Sequence, residues 1–208
     1  MSIQSFWAPE KLYFKQGSLP VALRELTDVF NASRVLIVTD EEMLHNGRLE
    51  LVTNVLHELG LDYGVNADSY ARDCVILYGS PALWNKMPDD TTCIIIPTEP
   101  DMTDAFPWLG ADMVILDEDV ICGTAQKPQI LQTARESLRG ERASDYTLAW
   151  AVQAFRLVKN GGNLLHAAAL AGLAKANAEP LTDDADLLPE AAEALGMTQA
   201  ELNAFLNA

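Results

Sequence analysis

The chain has 208 residues, 49% hydrophobic and 21% charged, enough for one sizeable core or two smaller lobes. Its 30 acidic and 14 basic side chains give a net charge of −16. A field of that sign opposes nucleic-acid phosphates and anionic membrane surfaces.

No apolar run approaches the roughly 20 residues of a membrane helix. The opening Met1-Ser2-Ile3-Gln4-Ser5-Phe6-Trp7 has neither the basic nor the apolar part of a secretory signal. The expectation is a cytoplasmic protein with no nucleic-acid or membrane partner. Cys74, Cys93 and Cys122 are widely spaced, lack CxxC or Cys/His pairing, and read as buried structural thiols.

In chain order, residues 10–14 read as a short strand closed by Gln16-Gly17-Ser18. Ser18 is placed to cap a helix over residues 18–30, with Leu19, Leu23, Leu26 and Phe30 inward and Pro20 in its first turn. Val35-Leu36-Ile37-Val38 is a continuous apolar strand, as in a parallel sheet covered on both faces. A helix over residues 48–59 has helical spacing of Leu49, Val52, Val55, Leu56 and Leu59, with Gly60 to end it. Strands follow at 74–78, 92–96 and 113–116.

From Lys127 the pattern becomes helical, over about 128–139, 145–159, 163–177, 184–195 and 198–207. After Lys175 there is no Lys or Arg, but seven acidic residues lie between Glu179 and Glu201. The fold class is α/β: an open, mostly parallel Rossmann-like sheet followed by a reduced all-helical lobe. The expected domains are 1–122 and 123–208, the second with an acidic C-terminal tail.

The residues Trp7-Ala8-Pro9-Glu10-Lys11-Leu12-Tyr13-Phe14-Lys15-Gln16-Gly17-Ser18-Leu19 carry a resemblance. It continues through Arg34-Val35-Leu36-Ile37-Val38-Thr39-Asp40, Asn46-Gly47 and residues 52–60. It returns at Ala111-Asp112-Met113-Val114-Ile115-Leu116-Asp117, at residues 143–149 and in the Ala-rich stretch 167–178. This pattern resembles iron-containing alcohol dehydrogenases, nearest to the alcohol-dehydrogenase half of the bifunctional aldehyde/alcohol dehydrogenases. The resemblance implies NAD(P) bound between two lobes and a divalent metal in the helical one.

On that resemblance Asp40 stands where the family meets the adenosine ribose, Gly79 and Ser80 end the phosphate loop, and Thr98 begins a second phosphate-side loop. These four are the candidate cofactor residues, in vestigial form. Tyr78 replaces a loop glycine, placing bulk where bare backbone approaches a pyrophosphate. The second loop has lost both glycines and gained Glu99, Asp101 and Asp104, which repel a pyrophosphate.

The family's metal ligands are an Asp and a His four residues apart and two further His. This chain has only His45, His57 and His166, and no Asp-x-x-x-His pair. No metal site and no catalytic residue is expected. Intervals that hold helices in the family are short here, with nine residues between Gly64 and Cys74.

Other chemistries are weaker. Ser80 lacks a Gly-x-Ser-x-Gly elbow. Asp117, Glu118 and Asp119 form an acidic turn that could meet Mg²⁺ only if their oxygens converged. Residues 195–202 resemble the start of a helix-turn-helix, but Thr198 and Glu201 form a capping box and nearby basic residues are lacking.

The expectation is a shortened relative without dehydrogenase activity that binds a nucleotide or protein, with no cofactor or a weakly held NAD(P). The alternatives are a metal-free oxidoreductase with a rearranged site and an interaction subunit of a larger dehydrogenase assembly. A homodimer or a dehydrogenase-family partner is expected.

Overall fold

A computed structural model of the chain describes residues 6–68, 71–102, 106–139, 145–178 and 186–207. Asp104, the segment 140–144 and the start of the acidic tail, 179–185, lie outside the described residues. The chain divides into two compact units, one formed by Pro9–Glu99 with Pro107–Gly123. The other is Thr124–Ala208, joined by Met1–Ala8 and Pro100–Phe106.

The first unit is built on six strands: β1 (Lys11–Phe14), β2 (Arg34–Thr39), β3 (Asp62–Val65), β4 (Cys74–Gly79), β5 (Thr92–Pro97) and β6 (Met113–Leu116). Their order is β1-β6-β5-β4-β2-β3, and every pairing is parallel. The apolar runs mark the interior strands, and all six residues of β4 are buried. Asp62-Tyr63-Gly64-Val65 has no such run, so β3 was not legible. It is an edge strand, held by β2 alone with Arg34 opposite Asp62.

One face of the sheet carries Val35, Ile37, Ile76, Tyr78, Ile94 and Ile115. Against them pack Leu23 of α1 (Leu19–Leu23), Leu26 of α2 (Glu25–Asp28), and Val52 and Leu56 of α4 (Glu50–Glu58). The short helix α3 (Glu41–His45) contributes Met43. The single helix expected over residues 18–30 is therefore two short ones broken at Arg24. Among the described residues, the shortened intervals after β4 and β5 hold 3₁₀ turns, Pro81–Lys86 and Phe106–Gly110, and no longer helix. Trp84 and Trp108 from these turns meet edge to face, with ring centroids 5.7 Å apart.

The second unit contains α5 (Lys127–Ser137), α6 (Asp145–Lys159), α7 (Leu164–Ala176), α8 (Leu188–Leu195) and α9 (Gln199–Leu206). Helices α5, α6 and α7 pack on one another. Buried Ala167, Ala168, Ala171, Gly172 and Ala174 give α7 the small surface that lets two neighbours approach it. Asn163 caps α7 by accepting the His166 amide at 2.8 Å. The capping box of α9 forms as expected: the Thr198 amide donates to Glu201, and the Glu201 amide to the Thr198 hydroxyl. Among the described residues no helix is long and apolar enough to cross a membrane.

Candidate functional site at the strand switch point

From β2 the chain adds β3 on one side and then returns across β2 to add β4 on the other. The carboxyl ends of β2 and β4 therefore flank a topological switch point, where open α/β sheets place ligands. The register sets Thr39 opposite Tyr78, so Asp40 and Gly79 leave the sheet side by side.

Asp40 stands at the N-cap position of α3, with φ −77° and ψ 156°, yet its side chain bonds none of that helix's amides. Its Oδ2 accepts instead from the Ser80 backbone N–H at 2.7 Å. Gly79 has φ 156°, and a Cβ built there would lie 2.4 Å from Asp40 Oδ2 and 2.7 Å from Leu83 Cδ1. The glycine is thus required by Asp40 and Leu83 packed against it, without any ligand. The turn is filled by a carboxylate of the chain itself.

Neighbouring backbone groups are also taken. The Thr98 N–H donates to the Gly79 carbonyl at 3.1 Å, and the Thr98 carbonyl accepts from Cys122 N–H at 2.7 Å. Thr98 is buried. The Thr39 hydroxyl donates to the Tyr78 carbonyl at 2.7 Å.

Asn66, just beyond β3, accepts from the Thr39 amide at 2.9 Å and donates to the Thr39 carbonyl at 3.0 Å. Sequence reasoning missed Asn66. Its signal was an asparagine after a short strand, a residue type that tolerates the left-handed backbone it adopts at φ 47°.

Tyr78 corrects one expectation. Its ring is buried in the core, and its hydroxyl donates to the Arg48 carbonyl at 3.1 Å. Burial pushes the phenol pKa up, opposed by the Arg48 charge. The Arg48 guanidinium donates to the Val120 carbonyl and, at 3.3 Å, to that of Asp119. What covers the Ser80 amide is Asp40, not the tyrosine ring.

The acidic turn after β6 is no cation site. Asp117 is buried and accepts from Gly17 N–H at 2.8 Å, Leu19 N–H at 2.7 Å and Asp119 N–H at 3.0 Å. It does the work expected of Ser18, whose side chain makes no capping bond. Of the three carboxylates read in the second loop, Glu99 is exposed in the α/β unit and Asp101 is exposed in the helical unit. Cys74 and Cys93 are buried. Burial pushes both thiols up, Cys93 to about 12.

The groups implied by the resemblance do not fit these residues. His45 and His57 are exposed on α3 and α4, and His166 is half-buried on α7, where burial lowers its pKa. Among the described residues no three of His, Cys, Asp and Glu gather as metal ligands. A pyrophosphate on the Ser80 amide would have to displace the Asp40 carboxylate.

No protein-family model matches the chain. Over 55 residues, 26% of this chain, it is 44% identical to bifunctional aldehyde-alcohol dehydrogenase AdhE of Escherichia coli K12. That match spans only 6% of the relative's length. In structure the likeness covers nearly the whole chain. An iron-containing alcohol dehydrogenase from Thermococcus thioreducens superposes with TM-score 0.72 at 17% identity, over 98% of this chain and 86% of that one. A 1,3-propanediol oxidoreductase gives 0.69 at 17% identity, over 98% and 74%. An enzyme of the same class from Thermotoga maritima gives 0.66 at 14%, over 96% and 76%.

The fold is that of the iron-containing alcohol dehydrogenases. The likeness read in the sequence thus extends beyond the segment that matches AdhE. At these identities the iron-containing alcohol dehydrogenase structures establish the architecture of this chain and leave its chemistry to its own residues.

Proposed function

We propose that this chain is a shortened relative of the iron-containing alcohol dehydrogenases that performs no hydride transfer and serves in the cytoplasm as a binding scaffold. The observation that carries this reading is the 2.7 Å bond from the Ser80 amide to Asp40 Oδ2 at the switch point. A hydride enzyme needs a cofactor seat and a group that polarises the carbonyl or alkoxide. Here the seat is closed by a carboxylate, and the three histidines lie on three separate helices.

The companion proposal on partners is a homodimer or docking on a dehydrogenase-family protein. NAD(P) binding is proposed to be weak or absent. Calorimetric titration with NAD⁺, NADP⁺ and NADH, before and after adding Fe²⁺ or Zn²⁺, tests the reading. The expected result is no saturable binding and no alcohol-dependent NAD⁺ reduction. Stoichiometric metal together with alcohol-dependent reduction overturns it. Sedimentation at several protein concentrations tests the dimer.

A further inference from the structure

Two Asn-Gly pairs occur in the chain, Asn46-Gly47 and Asn160-Gly161. Asparagine is a thermolabile residue, most of all before glycine, whose amide approaches the side-chain carbonyl without hindrance from a Cβ. Each pair follows a helix, α3 and α6 respectively, and each glycine is left-handed, at φ 76° and 68°. All four residues are exposed. What differs is how their backbones are held.

The end of α6 is tied twice. The Gly161 N–H donates to the Val158 carbonyl at 3.3 Å and the Gly162 N–H to that of Leu157 at 2.8 Å, the paired bonds of a Schellman cap on a helix of 15 residues. Helix α3 has five residues and ends without such a pair. The Gly47 N–H has no acceptor among the described residues. The Arg48 amide turns instead to the Asn46 side chain, donating to Oδ1 at 2.9 Å. Asn46 Nδ2 meets only the Met43 sulfur, at 4.0 Å.

We propose that Asn46 is a site of spontaneous deamidation in the folded chain and that Asn160 is protected from it. The Gly47 nitrogen forms a bond to Asn46 Cγ and gives up its proton. The bond from Cγ to Nδ2 breaks, and ammonia leaves carrying that proton, so a succinimide remains. Water then opens one of the two imide bonds, giving aspartate or isoaspartate. Water is the only co-reactant, and nothing is oxidised or reduced. Ring closure swings Asn46 ψ away from 4°, which releases the single Arg48 bond at the end of a short, exposed helix. At Asn160 the same motion breaks both bonds of the cap.

The product bears on the interior. Isoaspartate lengthens the main chain by one methylene just before Arg48, whose carbonyl accepts the Tyr78 hydroxyl at 3.1 Å and whose guanidinium donates to the Val120 carbonyl. The site does not depend on the function proposed for the strand switch point.

Ageing the full chain in mildly alkaline buffer, followed by peptide mapping for aspartate and isoaspartate, tests the proposal. Asn46 should convert faster than Asn160 by about tenfold or more, the order expected when a pair of cap hydrogen bonds must open first. In urea, with both helix ends lost, the two should convert at comparable rates. Equal rates in the folded chain, faster conversion at Asn160, or no conversion of Asn46 over a period that converts it in urea overturns the proposal. A ratio that persists unchanged in urea overturns the protection assigned to the α6 cap, because flanking residues would then set it.

Discussion

The carboxyl ends of β6 and β2 both finish in an aspartate that turns onto backbone amides of another segment, yet the two are saturated to different degrees. Asp117 is 1% exposed and accepts from three amides, those of Gly17, Leu19 and Asp119. Asp40 is half-buried and accepts from one, that of Ser80, while its Oδ1 has no hydrogen-bond partner among the described residues. The first ties the turn after β1 to the end of β6 and leaves no acceptor for a ligand. The second occupies the switch point, where the fold places ligands. One is saturated by the backbone it anchors; the other makes a single bond and keeps an oxygen over.

That contrast can be broken by substitution, starting where the largest effect is expected. Asp117→Ala strands several amide donors in the interior. The cost should be about 2–4 kcal/mol, given roughly 1–3 kcal/mol for a buried polar group left unsatisfied. Urea unfolding checks this, and a cost below that of Asp40→Ala would reverse the comparison.

Gly79→Ala comes next. Its Cβ would meet Asp40 Oδ2 at 2.4 Å and Leu83 Cδ1 at 2.7 Å, so overpacking of about 1–3 kcal/mol is expected. Removing the carboxylate relieves only one of the two clashes. A double-mutant cycle with Asp40→Ala should therefore return a coupling of about 0.5–2 kcal/mol, short of full rescue. Zero coupling would assign the constraint to Leu83 alone.

Asp40→Ala by itself should cost about 1 kcal/mol, the net worth of one part-buried hydrogen bond. Its sharper consequence is functional: the Ser80 amide is freed. The variant should bind inorganic pyrophosphate measurably where the parent chain does not. If both fail to bind, the cradle is closed by more than Asp40, and the stitched backbone at Thr39 and Thr98 becomes the cause.

Much of the sheet was legible because its inner strands are apolar on both faces. Val35-Leu36-Ile37-Val38 and the run from Cys74 leave no other reading. The edge strand β3 escaped because Asp62-Tyr63-Gly64-Val65 draws its stability from pairing with β2 and not from its own side chains. At the site, the four residues named from sequence do come together around the end of β4, but their relationship could not be read. Whether Asp40 faces a ribose or its neighbour's amide depends on a register across forty residues, which no local pattern encodes. Asn66, Arg48 and Asp117 act across 27, 72 and 100 residues, so their roles were hidden for the same reason.

The amino end of the sheet supplies the mildest test. Asp73, just before β4, accepts from the Ser33 amide at 3.1 Å, the Ser33 hydroxyl at 2.8 Å and the Arg34 amide at 2.9 Å. Burial alone would raise its pKa, but the Arg34 amide and the Ser33 hydroxyl and amide outweigh it and hold the carboxyl below its ordinary value. A carboxyl depressed in the folded state contributes stability that is complete above its unfolded pKa, near 4, and is lost as pH falls through the folded pKa. The stability difference between the parent chain and Asp73→Asn should therefore be present at neutral pH and shrink in strong acid. Because Asp73 is partly exposed, its shift in urea midpoint should be smaller than that of Asp40→Ala. A difference that stays constant down to acid pH would mean that shape rather than charge holds Ser33 and Arg34 in place.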